Sequence, residues 1–197
     1  LYFQEVGNGP PMVILHGIFG SSDNWRTLSL RMGEEFTVYS LDLRNHGRSP
    51  HADTHTIPEM AADLKQFLED EELNDVVLIG HSMGGKVAMH YALHHPDRVG
   101  RLVVADISPR TYPAQHSREI EAMQAARLEG ETNRKAIEAQ LTAYGLAMPV
   151  VQFLMNGLNR REDDTFNWRF NLVVLAREYS RILEGVTAAQ PFLKPTL

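Results

Sequence analysis

Residues 75–89 read DVVLIGHSMGGKVAM, and they decide the fold of this chain. An apolar run typical of a buried strand leads into a G-x-S-x-G turn centred on Ser82, and a helical pattern follows. This order of strand, turn and helix is the one that a nucleophile elbow requires, because the turn exposes the serine hydroxyl beside a helix N-terminus. The sequence therefore predicts that Ser82 is a nucleophile. The alternative is a tight strand-to-helix turn whose serine has no chemical role.

Strand and helix patterns alternate over the first half of the chain. Apolar runs predict strands at 1–6, 12–15, 36–41, 76–80 and 102–106, and helical spacing predicts helices at 22–35, 57–73 and 86–94. The helix at 57–73 has a capping-box pattern in Thr56 and Glu59, with Pro58 in its first turn. Alternating strands and helices predict the α/β class, with a mostly parallel sheet that helices flank on both faces.

After Pro109 the pattern changes to helices alone. Helical spacing covers 118–128, 133–144, 150–158 and 172–183, and no strand is predicted between these segments. We therefore divide the chain into a core at 1–109, an all-helical insertion at 110–185 and a return to the core at 186–197. Phe153 and Trp168 in the insertion are candidates for the lining of an acyl pocket, although such residues at helical spacing are more often ordinary core.

Composition narrows the possible partners and the compartment. The 197 residues are 43% hydrophobic, carry a formal charge of −6 and include no cysteine. An acidic chain is a poor partner for nucleic acid or for an anionic membrane surface. The lack of cysteine excludes disulfides and thiolate metal sites, and it fits a reducing compartment, so the sequence predicts a cytoplasmic protein. No apolar run approaches the roughly 20 residues that a transmembrane helix needs.

Acyl transfer also requires hydrogen-bond donors for the oxyanion that develops on the substrate. The backbone N–H of Met83, directly after the nucleophile, is one candidate. A second donor is expected from the glycine-rich segment His16-Gly17-Ile18-Phe19-Gly20, where we favour Ile18 over Phe19. His16 is expected to anchor this loop rather than to act as a base. The side chains of Phe19 and His81 are candidates for contacts with substrate.

Four motifs together resemble the α/β-hydrolase superfamily. They are HGIFG at 16–20, DLRNHGRS at 42–49, GHSMGGK at 80–86 and DISP at 106–109, and the match also includes WRFN at 168–171. Within the superfamily the chain resembles the branch of the YbfF-type esterases and abhydrolase domain-containing protein 11. This resemblance implies a Ser/Asp/His triad, hydrolysis of esters or thioesters without a cofactor or metal, and a helical lid over the C-terminal edge of the sheet.

The acid of the triad is expected at Asp106. This residue ends the strand after the elbow, so its carboxylate should emerge at the same sheet edge as Ser82. The resemblance to this branch implies the same aspartate as the acid. The alternative is that Asp106 is only a structural carboxylate at the end of a strand. Asp42, by contrast, precedes the RNHG turn and is expected to fix that loop.

The sequence supplies no evident base. Nine histidines are present and none follows His116, whereas the superfamily order of Ser, Asp and His places the base on a late loop. Residues 191–197 resemble the approach to another core strand. We therefore expect the C-terminal part of the fold, including the catalytic histidine, to lie beyond these 197 residues.

Two functions are consistent with the sequence. The first is a carboxylesterase or thioesterase that cleaves a small-molecule acyl ester or thioester through an acyl-enzyme on Ser82. The second is a hydrolase-fold fragment or pseudoenzyme that binds acyl ligands or protein partners without turnover, and a late histidine would distinguish the two. Halide or epoxide chemistry is disfavoured, because in this superfamily it needs an aspartate nucleophile. Acyl length, leaving group and oligomeric state do not follow from the sequence.

Overall fold

A computed structural model describes all 197 residues and contains a five-stranded sheet. The strands are β1 (Phe3–Val6), β2 (Pro11–Leu15), β3 (Thr37–Leu41), β4 (Val76–His81) and β5 (Val99–Ala105), in the spatial order β1-β3-β2-β4-β5. β1 pairs antiparallel with β3, and the other pairs are parallel. Leu15 aligns with Leu41 and with Gly80, which in turn aligns with Val104. The carboxyl ends of the parallel strands therefore lie at one edge of the sheet.

Helices cover both faces of this sheet. A 3-10 turn (Ser22–Trp25) and α1 (Arg26–Met32) lie after β2, α2 (Ile57–Asp70) lies between β3 and β4, and α3 (Met83–His94) follows β4. The predicted capping box is confirmed, since Glu59 N donates to Thr56 Oγ1 and Thr56 N donates to Glu59 Oε2. Alternate residues of β2 enter different cores: Val13 and Leu15 belong to the larger one, Met12 and Ile14 to a small cluster that includes Trp25.

The segment after β5 contains a β-hairpin as well as helices. Its elements are α4 (Ser117–Ala125), α5 (Arg134–Ala143), α6 (Met148–Asn156), β6 (Leu158–Arg160), β7 (Phe166–Trp168) and α7 (Leu172–Ile182), and β6 pairs antiparallel with β7. The prediction of an all-helical insertion was therefore wrong. Strands of three residues are too short for their alternation to be recognised, and a turn with Asp164 at φ 66° joins them.

The final residues return to the outer side of β5. Thr196 forms a parallel bridge with Leu102, and the Leu197 amide donates to the Leu102 carbonyl at 3.0 Å. Residues 195–197 thus lie along the edge of the sheet next to β5. None of the helices has both the length and the apolar character needed to span a membrane.

Candidate active site

Ser82 occupies a strained turn between β4 and α3. Its backbone has φ 50° and ψ −118°, a conformation that costs a non-glycine residue about 1–3 kcal/mol. Its amide donates to the Ala105 carbonyl at 3.0 Å. The neighbouring glycines permit this geometry, because a Cβ at Gly80 would lie 2.3 Å from the Gly84 carbonyl oxygen and one at Gly84 would lie 2.5 Å from that of Leu15. The elbow is thus held by contacts with β2 and β5.

Ser82 lines a cavity of about 660 Å³ at the carboxyl edge of the sheet. One wall is apolar and comes from α6, and Phe153 is part of it. The predicted site residues Asp106, His81, Ile18 and Phe19 line the same cavity. Further lining side chains come from the 3-10 turn, α1 and α6; they are Trp25, Leu28, Pro149, Val150 and Leu154. The cavity has the volume range of small-molecule sites.

Trp168 lies outside this cavity, which corrects the prediction that it lines an acyl pocket. It belongs to β7, pairs with Leu158 and stacks on Phe170 with ring centroids 5.5 Å apart. Phe170 in turn contacts Phe19 at 5.3 Å. The short strand turns Trp168 into the core of the insertion, so it reaches the cavity only through two other aromatic rings.

Two backbone amides near Ser82 have no acceptor within the chain. The Phe19 amide donates to His46 Nε2 at 3.2 Å, whereas the Ile18 amide makes no hydrogen bond. Met83 is the first residue of α3, and its amide has no intrahelical acceptor. Both Ile18 and Met83 line a recess of about 40 Å³ together with Ser82. The amides of Ile18 and Met83 are therefore without an acceptor, whereas that of Phe19 has one.

Buried histidines support the glycine-rich loop. His16 Nε2 accepts from the Leu43 amide at 3.0 Å, so Nδ1 carries the proton and donates to the Gly17 carbonyl at 2.8 Å. In the same way, His46 accepts through Nε2 and donates through Nδ1 to the Arg44 carbonyl at 3.0 Å. Both rings are buried and 4.9 Å apart. Each ring is thus a neutral anchor for the loop, the role predicted for His16.

His55 extends this group, which we call the histidine cluster (His16, His46 and His55). Its ring lies 5.3 Å from that of His46, its Nε2 is 3.3 Å from Met83 Sδ, and its Nδ1 is buried without a partner. Burial lowers the pKa of all three imidazoles, that of His46 well below the ordinary value and that of His55 to about 3. All three are uncharged near neutral pH.

Asp42 fixes the loop between β3 and α2, as predicted. Its carboxylate accepts from the Ser22 amide at 2.6 Å and from the Arg48 amide at 2.8 Å. Arg44 fastens the same loop to α2 by a two-pronged ion pair with Asp63, at 2.5 and 2.7 Å. The first part of the loop that carries His46 and His55 is therefore held both to the turn after β2 and to α2.

Asp106 and His81 line the same cavity as Ser82, without a hydrogen bond between them. Asp106 directly follows β5, has φ 55° and exposes 91% of its side chain. His81 Nε2 is 4.0 Å from Asp106 Oδ2, which is beyond hydrogen-bond distance. None of the hydrogen bonds of the chain's histidines involves the Ser82 hydroxyl. The geometry thus brings Ser82 and Asp106 to one cavity and assigns no base.

His116 and Glu119, which sequence patterns did not single out as site residues, also line this cavity. His116 Nδ1 lies 3.8 Å from Glu119 Oε1, and Glu119 Oε2 is buried without a partner. The two residues are spaced i, i+3 at the start of α4, so they share a helix face. That spacing is the only sequence signal for the pair, and it does not indicate which way the face points.

The fold and this site define the class of protein. The α/β hydrolase fold family matches residues 10–177, so the chain belongs to that family, and the fold and family predicted from the motifs are confirmed. A solved structure described as a marine microorganism esterase superposes with a TM-score of 0.95 at 38% identity, over 99% of this chain and 78% of the other.

Two curated relatives refine this assignment. The chain is 41% identical to the sn-1-specific diacylglycerol lipase ABHD11 of Xenopus tropicalis, and the match covers 96% of this chain. The chain is also 34% identical to Esterase YbfF of Escherichia coli (strain K12), and the match covers 91% of this chain and 69% of that protein. It spans only 61% of the Xenopus tropicalis relative and 64% of the one from Mus musculus.

Proposed function

We propose that the protein is a serine hydrolase that cleaves carboxylic esters or acyl thioesters through an acyl-enzyme on Ser82. One observation carries this proposal: Ser82 stands in the strained elbow, lines a cavity of about 660 Å³ and shares a recess with two unpaired amides. A nucleophile, an acyl-sized cavity and two donors for an oxyanion are three of the parts that acyl transfer requires, and a base is the fourth.

In the proposed reaction, Ser82 Oγ attacks the carbonyl carbon of the substrate while a histidine base removes the hydroxyl proton. The oxygen that becomes negative is held by the amides of Ile18 and Met83, and the positive end of α3 adds to this stabilisation. The base then gives its proton to the leaving alcohol or thiol. A water molecule, activated by the same base, releases the acid from the serine. We propose that Asp106 orients this base.

The insertion is proposed to act as a lid and to bind the acyl chain. Its helix α6 supplies the apolar side chains of Val150, Phe153 and Leu154 to the cavity that contains Ser82. An apolar, partly enclosed wall favours an acyl chain and limits access of water. Two relatives, one named a diacylglycerol lipase and the other an esterase, point to ester substrates.

We also propose that the protein is cytoplasmic, because the absence of cysteine fits a reducing compartment.

A second candidate function is binding of acyl ligands without turnover. It is favoured by the distance of 4.0 Å between His81 Nε2 and Asp106 Oδ2 and by the absence of a histidine bonded to the Ser82 hydroxyl. In this case the cavity would hold the ester or its acid product, and Ser82 would remain unmodified.

Labelling by a fluorophosphonate probe, together with hydrolysis of a p-nitrophenyl ester, separates the two candidates. Ser82→Ala should abolish labelling and lower ester hydrolysis by up to about a millionfold, that is, to background. Ser117→Ala removes an exposed hydroxyl at the start of α4 and is the matched control. Persistent labelling of Ser82→Ala would refute the nucleophile assignment. A protein that binds a non-hydrolysable ester analogue, but is neither labelled nor active, would support binding without turnover.

A further inference from the structure

Lys86 is a lysine in an unusual place. It lies on α3 one turn after Ser82, and its amide donates to the Ser82 carbonyl at 3.1 Å. Only 1% of the residue is exposed. Lysine is almost never buried to this extent, because an ammonium removed from water must find other partners. The partners of this ammonium therefore indicate what the residue does.

The ammonium is held by backbone carbonyls and an aromatic ring. Lys86 Nζ donates to the carbonyl oxygens of Leu183 at 2.7 Å and Glu184 at 2.5 Å, just after the last residue of α7. These carbonyls carry the partial negative charge of a helix C-terminus. The ring of Tyr112 faces the ammonium at 5.3 Å from its centroid, within the range of a cation–π contact. No carboxylate lies within ion-pair distance.

These partners belong to the two chain segments through which the insertion leaves and rejoins the core. We call residues 109–112 and 183–186 together the hinge. Its two segments are bonded to each other: the Tyr112 amide donates to the Leu183 carbonyl at 3.0 Å, and the Val186 amide donates to the Pro109 carbonyl at 2.7 Å. Lys86 contacts both segments at once, from the helix that begins at the nucleophile.

We propose that Lys86 is a positioning residue that fastens the hinge to the nucleophile helix and thereby fixes the α6 wall of the cavity relative to Ser82. The wall residues, such as Phe153, are part of the insertion, and the hinge is its covalent link to the core. A buried, multiply bonded side chain one helical turn from Ser82 makes that link rigid. Small displacements of a bound substrate from the attacking atom are costly in rate, so this rigidity matters for catalysis.

The kinetic test rests on the proposed function and compares Lys86→Met with Lys65→Met, the same substitution at a partly exposed lysine on α2. The readout is the ratio of kcat/KM for p-nitrophenyl hexanoate to that for p-nitrophenyl acetate, because the longer chain reaches further along the α6 wall. Lys86→Met should lower this ratio by about tenfold, mainly through a higher KM for the hexanoate. Lys65→Met should leave it at the wild-type value. An equal loss for both esters would mean a merely structural role and would overturn the proposal.

Hydrogen exchange tests the same proposal without any activity. In Lys86→Met the amides of Tyr112 and Val186, which bond across the hinge, should exchange at least ten times faster, while those of β4 keep their protection. Unchanged hinge amides would overturn the proposal. Lys86→Gln, which removes the charge but keeps a donor, serves if the methionine variant does not fold, and it should shift both readouts in the same direction. Inactivity of the wild type would refute the proposed function and leave this test intact.

Discussion

The histidine cluster should make the protein lose stability in mild acid, and His55 allows the effect to be isolated. Burial, helped by the nearby His16 and Arg44 and opposed by Glu59, lowers the pKa of His55 from 6.5 to about 3. Between these two values the unfolded chain binds a proton that the folded protein does not bind. Stability from this group is therefore present above pH 6.5 and declines as the pH falls towards 3.

The magnitude follows from the shift in pKa. Each pH unit within this window changes the free energy of unfolding by about 1.4 kcal/mol for one such group. Between pH 7 and pH 4.5, His55 alone should contribute a loss of about 2.5 kcal/mol, allowing for partial protonation of the unfolded chain near pH 6.5. His16 and His46 add to this loss in the same direction. Out of a typical stability of about 5–15 kcal/mol, the combined effect is large.

Urea unfolding at the two pH values, followed by tryptophan fluorescence, measures these free energies. His55→Gln should lose about 2.5 kcal/mol less than the wild type between pH 7 and pH 4.5. The new amide can also change stability, but that offset is the same at both pH values and cancels. His51→Gln, at an exposed histidine, is the matched control and should behave like the wild type. If His55→Gln and the wild type lose the same free energy, His55 is not held neutral in the fold.

Three further predictions concern the elbow, the oxyanion loop and the acyl wall. Gly84→Ala should lower the free energy of unfolding by more than about 3 kcal/mol, because the added Cβ would lie 2.5 Å from the His16 carbonyl oxygen. A loss under about 1 kcal/mol in chemical unfolding would show that this close contact is absent. His46→Leu frees the Phe19 amide and should lower kcat for ester hydrolysis about tenfold with little change in KM. A change in KM alone would contradict a role of His46 in positioning the glycine-rich loop. Phe153→Ala, at a side chain that is 40% exposed, should shift the preferred acyl length while costing less than about 1.5 kcal/mol of stability, and an unchanged preference would remove Phe153 from the acyl site.

The features that the sequence predicted well depend on residues close together in the chain. The elbow at Ser82 and the capping box at Thr56 are each complete within a few residues, so their geometry follows from local sequence. The choice of Ile18 over Phe19 as a candidate donor stays a prediction, and the contact that occupies the Phe19 amide is one that local sequence does not show. His46, which occupies the Phe19 amide, is 27 residues away in the chain.

The features that escaped prediction depend on orientation after the chain has packed. Trp168 lies between two predicted helical segments, where no strand was expected, but β7 pairs with β6 and turns its ring towards Phe170. His116 and Glu119 share a helix face, yet only the placement of α4 over the sheet edge decides that this face borders the cavity. Hydrophobic patterning reports which residues are buried in a segment and not which neighbour they meet.

The elbow also has a consequence for how the protein folds. Its turn is held by carbonyls of β2 on one side and by the Ala105 carbonyl of β5 on the other, although these strands are far apart in the chain. Parallel pairing over such separations forms slowly, and a strained turn does not persist without the contacts that impose it. A partly folded chain that lacks either strand would therefore carry an ordinary, unreactive serine. If Ser82 is the nucleophile, as proposed, its labelling during refolding would report the last sheet contacts to form, and a misassembled molecule would not be labelled.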